Sequence, residues 1–181
     1  TLNDHGVGIY DEKRSSFIAC SAPISSEEEA FNFIKDMKGW HKKADHYVYA
    51  YTVYDEENAL ISRYSDDGEP QGTAGQPILG VFQSQNIENA AIVVARYYGG
   101  TPLGAAGLTR AYRKVAGIAV HESGIIHKVL YDELFITMDY SMYKNVNYML
   151  HSNTRADLMS LKYKIIQEEF GEKIRIHMYT A

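Results

Sequence analysis

Six consecutive residues, Ala90-Ala91-Ile92-Val93-Val94-Ala95, form a run of small and β-branched side chains with no polar interruption. Such a run fits a strand at the centre of a sheet. A glycine-rich segment follows at once, and then Leu108, Tyr112, Val115, Ala116 and Ala119 recur at helical spacing. That stripe predicts a long helix with one buried face, ended by Gly124. Buried strand, flexible loop and amphipathic helix in that order point to a mixed α and β architecture.

The flanking segments extend the pattern. Phe17 to Ala22 is short and apolar and stops at Pro23, as a strand entering a turn does. Ser26 and Glu29 have capping-box spacing, and Ala30, Phe33, Ile34 and Met37 then mark one helical face up to Gly39. His46 to Tyr54 and Leu60 to Tyr64, on either side of the acidic tip Asp55-Glu56-Glu57-Asn58, read as a hairpin. Ser65 to Pro77 holds three glycines, two prolines and three acids in thirteen residues and reads as a loop. Pro77 then opens a short helix through Phe82. From Tyr131 a second pattern begins. Leu134, Ile136 and Met138 suggest a strand, Val146, Met149 and Leu150 a helix, and Leu158 to Ile165 and Ile174 to Met178 two further strands. This β-α-β-β order is half of a ferredoxin-like unit, which would continue with a helix and a strand. An unfinished unit would present an open sheet edge. Two domains are therefore expected, residues 1–128 and 129–181.

Composition excludes several classes. Apolar residues at 45% and charged residues at 23% suit a globular chain with a real core. No apolar run approaches the ~20 residues of a membrane helix, and no charged and apolar leader opens the chain, so a cytosolic setting is expected. The lone Cys20 allows no internal disulfide and, among Phe17, Ile18 and Ala19, reads as a buried, inert thiol. A net charge of −5 disfavours broad attraction to nucleic acid, but the charge is uneven. Asn89 to His121 contains no acid while holding Arg96, Arg110, Arg113 and Lys114; Asp55 to Glu69 sets six acids against Arg63 alone.

Two segments hold the residues that could carry chemistry. The first includes Asp66, Asp67, Glu69, Gly72 and Thr73. Its carboxylates could coordinate a hard cation such as magnesium or accept backbone amides within their own turn, and the Asp-Gly pair favours the second use. The second runs from Arg96 through Tyr97, Gly99, Gly100, Gly104 and Gly107 to Arg110, Arg113 and Lys114. Glycines between a buried strand and a helix start can aim free amides at a phosphate. They match neither a dinucleotide fingerprint nor a Walker loop, so helix packing is an equal explanation. Tyrosines interleave both this segment and the strand starting at His46; they could stack on bases or fill strand positions. His46 reads more readily as a hydrogen-bonded structural residue than as a general base. No nucleophile elbow is present.

Read together, Asp66 to Gly75 (Asp-Asp-Gly-Glu-Pro-Gln-Gly-Thr-Ala-Gly) and Arg96 to Tyr112 (opening Arg-Tyr-Tyr-Gly-Gly and closing Leu-Thr-Arg-Ala-Tyr) closely resemble the two signature stretches of the YigZ/IMPACT family. The resemblance extends over nearly the whole chain. It implies a two-domain α+β protein. The N-terminal α/β domain would be like the second domain of ribosomal protein S5 and domain IV of elongation factor G, with a left-handed βαβ crossover. The C-terminal domain would be ferredoxin-like, as in another elongation-factor-G domain. It also implies nucleic-acid binding and a link to translation regulation. The kinase-directed regulation of eukaryotic members uses an additional N-terminal domain for which this chain has no room. Two departures stand out: Val48 where the family often has Cys, and Gln76 where a basic residue is common.

Three readings follow. In the leading one the two segments converge and the cations contact RNA or the ribosome without catalysis. In the second, the same loops hold nucleotide and magnesium in an enzyme. In the third, the acidic loop docks on Arg96 or Arg110 and merely holds the fold together.

Overall fold

The computed structural model describes residues 1–151 and 163–180. The chain divides into two compact units, Thr1–His127 and Lys128–Ala181.

The first unit is built around the apolar run. In chain order it contains β1 (Gly6–Glu12), β2 (Ser15–Pro23), α1 (Glu27–Trp40), β3 (His46–Tyr54), β4 (Leu60–Ser65), α2 (Gly75–Ser84), β5 (Ala90–Tyr97) and α3 (Ala105–Ser123). The strands form one sheet in the order β1-β2-β5-β3-β4, and every neighbouring pair is antiparallel. β2 and β3 therefore run parallel on either side of β5 and are joined by α1, while β4 and β5 are parallel across β3 and are joined by α2. Alternate residues of β5 enter opposite cores, because a strand turns successive side chains to opposite faces. Ala90, Ile92 and Val94 pack with Phe17, Ala19, Val48 and Ala50 against the α2 and α3 residues Ile78, Phe82, Tyr112, Val115 and Ala119. Ala91, Val93 and Ala95 join Tyr51 and Val53 against Ala30, Phe33, Ile34 and Met37 of α1. Helices on both faces explain why the strand shows no polar alternation.

Three local expectations are corrected. The α1 helix does not stop at Gly39 but runs to Trp40, with the His41 amide donating to the Met37 carbonyl. Its Ser26 hydroxyl caps the Glu29 amide, yet the Glu29 carboxylate reaches Ser25 rather than Ser26, accepting its amide at 2.6 Å and its hydroxyl at 2.8 Å. Cys20 is only half-buried, beside the exposed Val7 of β1, although burial still pushes its thiol pKa up.

The edge strand β1 carries no apolar alternation toward the core. Gly6 and Gly8 lie against α3 so closely that a Cβ would sit 2.1 Å from the Ala119 carbonyl oxygen and 2.6 Å from that of Val115. The side chains on its other face, Val7 and Ile9, are exposed. The β1–β2 turn is Lys13-Arg14, both at positive φ (46° and 68°), where asparagine and glycine are the usual occupants.

The second unit contains β6 (Asp132–Met138), α4 (Tyr140–His151), β7 (Tyr163–Phe170) and β8 (Ile174–Thr180). Its sheet order is β6-β8-β7, antiparallel throughout, the arrangement of a ferredoxin-like half. Met138, Ile174, Ile176 and Met178 form a small core closed by Tyr143, Val146 and Leu150. Met149, expected on the buried face, is exposed, and Tyr143 takes its place. Of the strand expected over Leu158 to Ile165, residues 158–162 lie outside the described residues; the described strand continues to Phe170. Among the described residues no helix is long and apolar enough to cross a membrane.

Candidate functional site

The acidic loop folds around its own carboxylates. Asp66 accepts the Gly72 amide at 2.8 Å through one oxygen, and the Ala74 and Gly75 amides at 3.1 and 2.8 Å through the other. It thereby caps the start of α2 from eight to nine residues upstream. Asp67, at φ 45°, accepts the Tyr47 amide at 2.6 Å. Its own carbonyl lies 2.8 Å from the His46 ring nitrogen Nδ1, so His46 is tied to the loop backbone, as a structural histidine would be. Thr73 is buried and donates its hydroxyl to the Pro70 carbonyl at 2.6 Å. Gly72 takes a φ of 73° that other residues rarely adopt.

Glu69 behaves differently, because it points at the other loop. Its Oε1 accepts Arg96 Nη1 at 2.5 Å and the Tyr112 hydroxyl at 2.7 Å. Arg96 comes from the end of β5 and is 5% exposed. Its guanidinium carbon lies 5.4 Å from the Phe17 ring centroid and 5.3 Å from that of Tyr98, and Nη2 reaches the Ser15 hydroxyl at 3.4 Å. Burial, and then the Glu69 charge, push the Tyr112 phenol far above its usual pKa while Arg96 opposes them.

Among the described residues no three His, Cys, Asp or Glu side chains are arranged to hold a metal ion. The three carboxylates serve three different sets of partners: loop amides for Asp66, the Tyr47 amide for Asp67, and Arg96 with Tyr112 for Glu69.

The glycines of the second segment separate by role. At Gly99 a Cβ would lie 1.9 Å from the Arg14 carbonyl oxygen, so this glycine lets the β1–β2 turn pack against the loop. Gly107 is not a loop residue but lies in the first turn of α3, against Leu103. Gly100 and Gly104 adopt φ of 82° and 75°, with open space where a Cβ would stand. Between the loops is a cavity of about 250 Å³ bordered by Glu69, Arg96, Tyr98, Leu103 and the first residues of α3.

The structure thus brings together Glu69, Arg96 and Gly104, with Asp66, Asp67, His46, Gly72 and Thr73 shaping the loop beside them. Tyr97 is excluded. It follows Arg96 on the strand and so faces α1, where its hydroxyl meets His41 Nδ1 at 2.9 Å. Arg96 itself is not a surface cation. Arg110, Arg113 and Lys114 are exposed along α3, with Lys114 Nζ 4.4 Å from the Tyr10 ring centroid.

Two exposed cations joined to this surface were not singled out from the sequence. Lys13 and Arg14 form the β1–β2 turn. β1 runs antiparallel to α3, Gly6 opposite Ala119 and Gly8 opposite Val115, which carries the turn to the N-terminal end of the helix. A Glu-Lys-Arg-Ser turn without asparagine or glycine gives no local signal.

Fold and site define a two-domain α+β protein whose signature loops are locked together by a buried ion pair. A family model described as the Impact N-terminal domain matches residues 13–120, more than half of the chain, which therefore belongs to the IMPACT family. The chain is 38% identical over 141 residues to "IMPACT family member YvyE" of Bacillus subtilis (strain 168), covering 78% of this chain and 64% of that protein. It is 36% identical over 104 residues to "IMPACT family member YigZ" of Escherichia coli (strain K12), covering 58% of this chain and 51% of that protein. A solved structure described as the crystal structure of a hypothetical protein aligns with 99% of this chain and 84% of its own, at a TM-score of 0.68 and 26% identity. The matches thus span between half and two thirds of the length of these curated relatives.

Proposed function

We propose that the chain is a non-catalytic binding protein of the cytoplasm that docks on RNA or the ribosome and takes part in translation regulation. The observation that supports it is the set of exposed cations on the β1–β2 turn and on α3: Lys13, Arg14, Arg110, Arg113 and Lys114. All five are exposed, and none makes an ion pair among the described residues. Asp11 and Glu12 are the acids on the same hairpin, and Glu12 accepts the Tyr10 hydroxyl. A cationic surface on a chain of net charge −5 favours local docking over general adhesion to polyanions. Carboxylates occupied by backbone amides and by Arg96 weaken the enzymatic alternative.

The reading is tested by fluorescence anisotropy with a ribosomal RNA fragment over a salt series. Each lost phosphate contact should lower the slope of log K against log salt by roughly 0.7–0.9. Arg110→Ala combined with Arg113→Ala should therefore flatten it by about 1.5 while leaving the melting temperature near that of the parent. No measurable affinity of the intact protein at low salt would refute the reading.

A further inference from the structure

The second unit leaves one face of its sheet uncovered. Ile174, Ile176 and Met178 of β8 turn into the core closed by α4, so Arg175, His177 and Tyr179 turn the other way. The register brings Glu133, Phe135 and Thr137 of β6 to that same face from one side, and Lys164, Gln167 and Glu169 of β7 from the other. Phe135 is 71% exposed although it stands in the middle of its strand.

Four aromatic rings form a row across this face. Phe135 stacks on His177 with centroids 4.5 Å apart and planes 16° from parallel. His177 meets Tyr179 edge-on at 5.5 Å, and Tyr179 lies 6.5 Å from Tyr131, just ahead of β6. The two ends of the row, Phe135 and Tyr131, are both exposed. A cavity of about 250 Å³ opens beside Phe135 and His177, with Thr137, Gln167 and Arg175 in its wall. Each acid of the face has a nitrogen partner: Glu133 lies 2.7 Å from His177 Nε2, and Glu169 lies 3.8 Å from Arg175 Nη1. Lys164 makes no ion pair among the described residues, so the face also offers a phosphate a cation.

Rings alone would suit an apolar protein surface equally well. The polar groups among them decide against it, because such a surface would bury Thr137, Gln167 and Arg175 without partners. Unpaired bases supply both a flat face for a ring and hydrogen-bonding edges for the polar groups. RNA-recognition motifs work in this way, stacking two or three bases on the aromatic residues of a sheet. We propose that this face binds a single-stranded stretch of RNA. Bases stack on the open side of Phe135 and on Tyr131, while Thr137, Gln167 and Arg175 meet base edges and phosphates. The inference rests on the RNA reading above and deepens it, by naming unpaired nucleotides as what the second unit takes.

The test titrates the full chain with a single-stranded adenosine hexanucleotide and, separately, with a blunt RNA duplex, following amide chemical shifts. The single strand should shift the Phe135 and His177 amides saturably, and the duplex, whose bases are already stacked, should leave them in place. Phe135→Ala should weaken the single-strand binding read at His177 about tenfold, with the melting temperature near that of the parent, and Phe135→Trp should retain it. Equal shifts with single strand and duplex, or an affinity unmoved by Phe135→Ala, overturn the proposal; RNA binding that still depends on Arg110 and Arg113 then leaves the docking reading standing alone. Concentration-dependent shifts at the same amides without RNA would mean that a second copy closes the face, and would overturn it too. Single-strand binding that needs Phe135 but is indifferent to Arg110→Ala with Arg113→Ala upholds the proposal and removes the α3 surface from the docking reading.

Discussion

Glu69 and Arg96 meet at 2.5 Å with side chains only 3% and 6% exposed, so the two signature loops are joined by a fully desolvated ion pair. Attraction in such a site is offset by the loss of hydration of both groups, and a buried pair is weak evidence of net stabilisation. Breaking it is another matter. Glu69→Gln leaves the Arg96 charge buried without a counterion and should cost about 3–5 kcal/mol in urea unfolding. Glu69→Leu combined with Arg96→Met removes both charges and should recover most of that loss. If the double variant were no more stable than Glu69→Gln, uncompensated charge would not be the cause.

Asp66 supplies a second test of the loop. Each hydrogen bond to a charged acceptor contributes roughly 1.5–3 kcal/mol, and this carboxylate accepts three amides. Asp66→Asn replaces one acceptor oxygen with a donor facing other donors. The expected result is a lower melting temperature with faster hydrogen exchange at Gly72, or at Ala74 and Gly75, whichever side the amide nitrogen occupies. Unchanged exchange at all three would show that the carboxylate does not hold the start of α2.

The glycines of β1 and α3 should respond in opposite directions. Gly8→Ala forces a methyl to within 2.6 Å of the Val115 carbonyl oxygen, a backbone atom that cannot swing aside. Overpacking of this kind costs about 1–3 kcal/mol or more. Gly117, inside α3, has nothing within 4 Å of its Cβ position, and Gly117→Ala should stabilise by about 1 kcal/mol through helix propensity. Urea midpoints of the two variants measure both effects.

This contrast also shows what the sequence could and could not reveal. β5, α1 and α3 were legible because burial imposed a period on large side chains: Ile92 and Val93 to opposite cores, and Phe33 and Ile34, or Tyr112 and Val115, to one helix face. β1 was not, because its core-facing positions are glycines and its apolar residues face outward. The loop motifs were recognisable as motifs, but the partners of Glu69 lie 27 and 43 residues away. An arginine in an acid-free segment reads as a surface cation, and only the fold shows Arg96 between Phe17 and Tyr98. Tyr97 is a miss that strand geometry could have prevented, since neighbours on a strand cannot share a face. Lys13 and Arg14 join the cationic surface through tertiary packing alone.

Tyr112 gives the site a signature in alkaline unfolding. Burial and the Glu69 carboxylate hold its phenol protonated well above the ordinary value, whereas in the unfolded chain it ionises near ~10. The folded state therefore keeps a proton that the unfolded state releases. The stability tied to this difference is present in full below pH ~10 and falls above it by about 1.4 kcal/mol per pH unit. Tyr51, raised by burial and by its bond to Glu27, adds to the same alkaline loss, so the total slope alone does not isolate the site. Tyr112→Phe keeps the ring against Phe17 but has no proton to lose and no hydroxyl for Glu69. The variant should be less stable than the parent at pH 8 and should lose about 1 kcal/mol less than the parent between pH 10 and 11. Urea unfolding across that range measures both slopes. Parallel curves for variant and parent would mean that the Tyr112 phenol ionises in the folded protein and that its contact with Glu69 does not hold the proton.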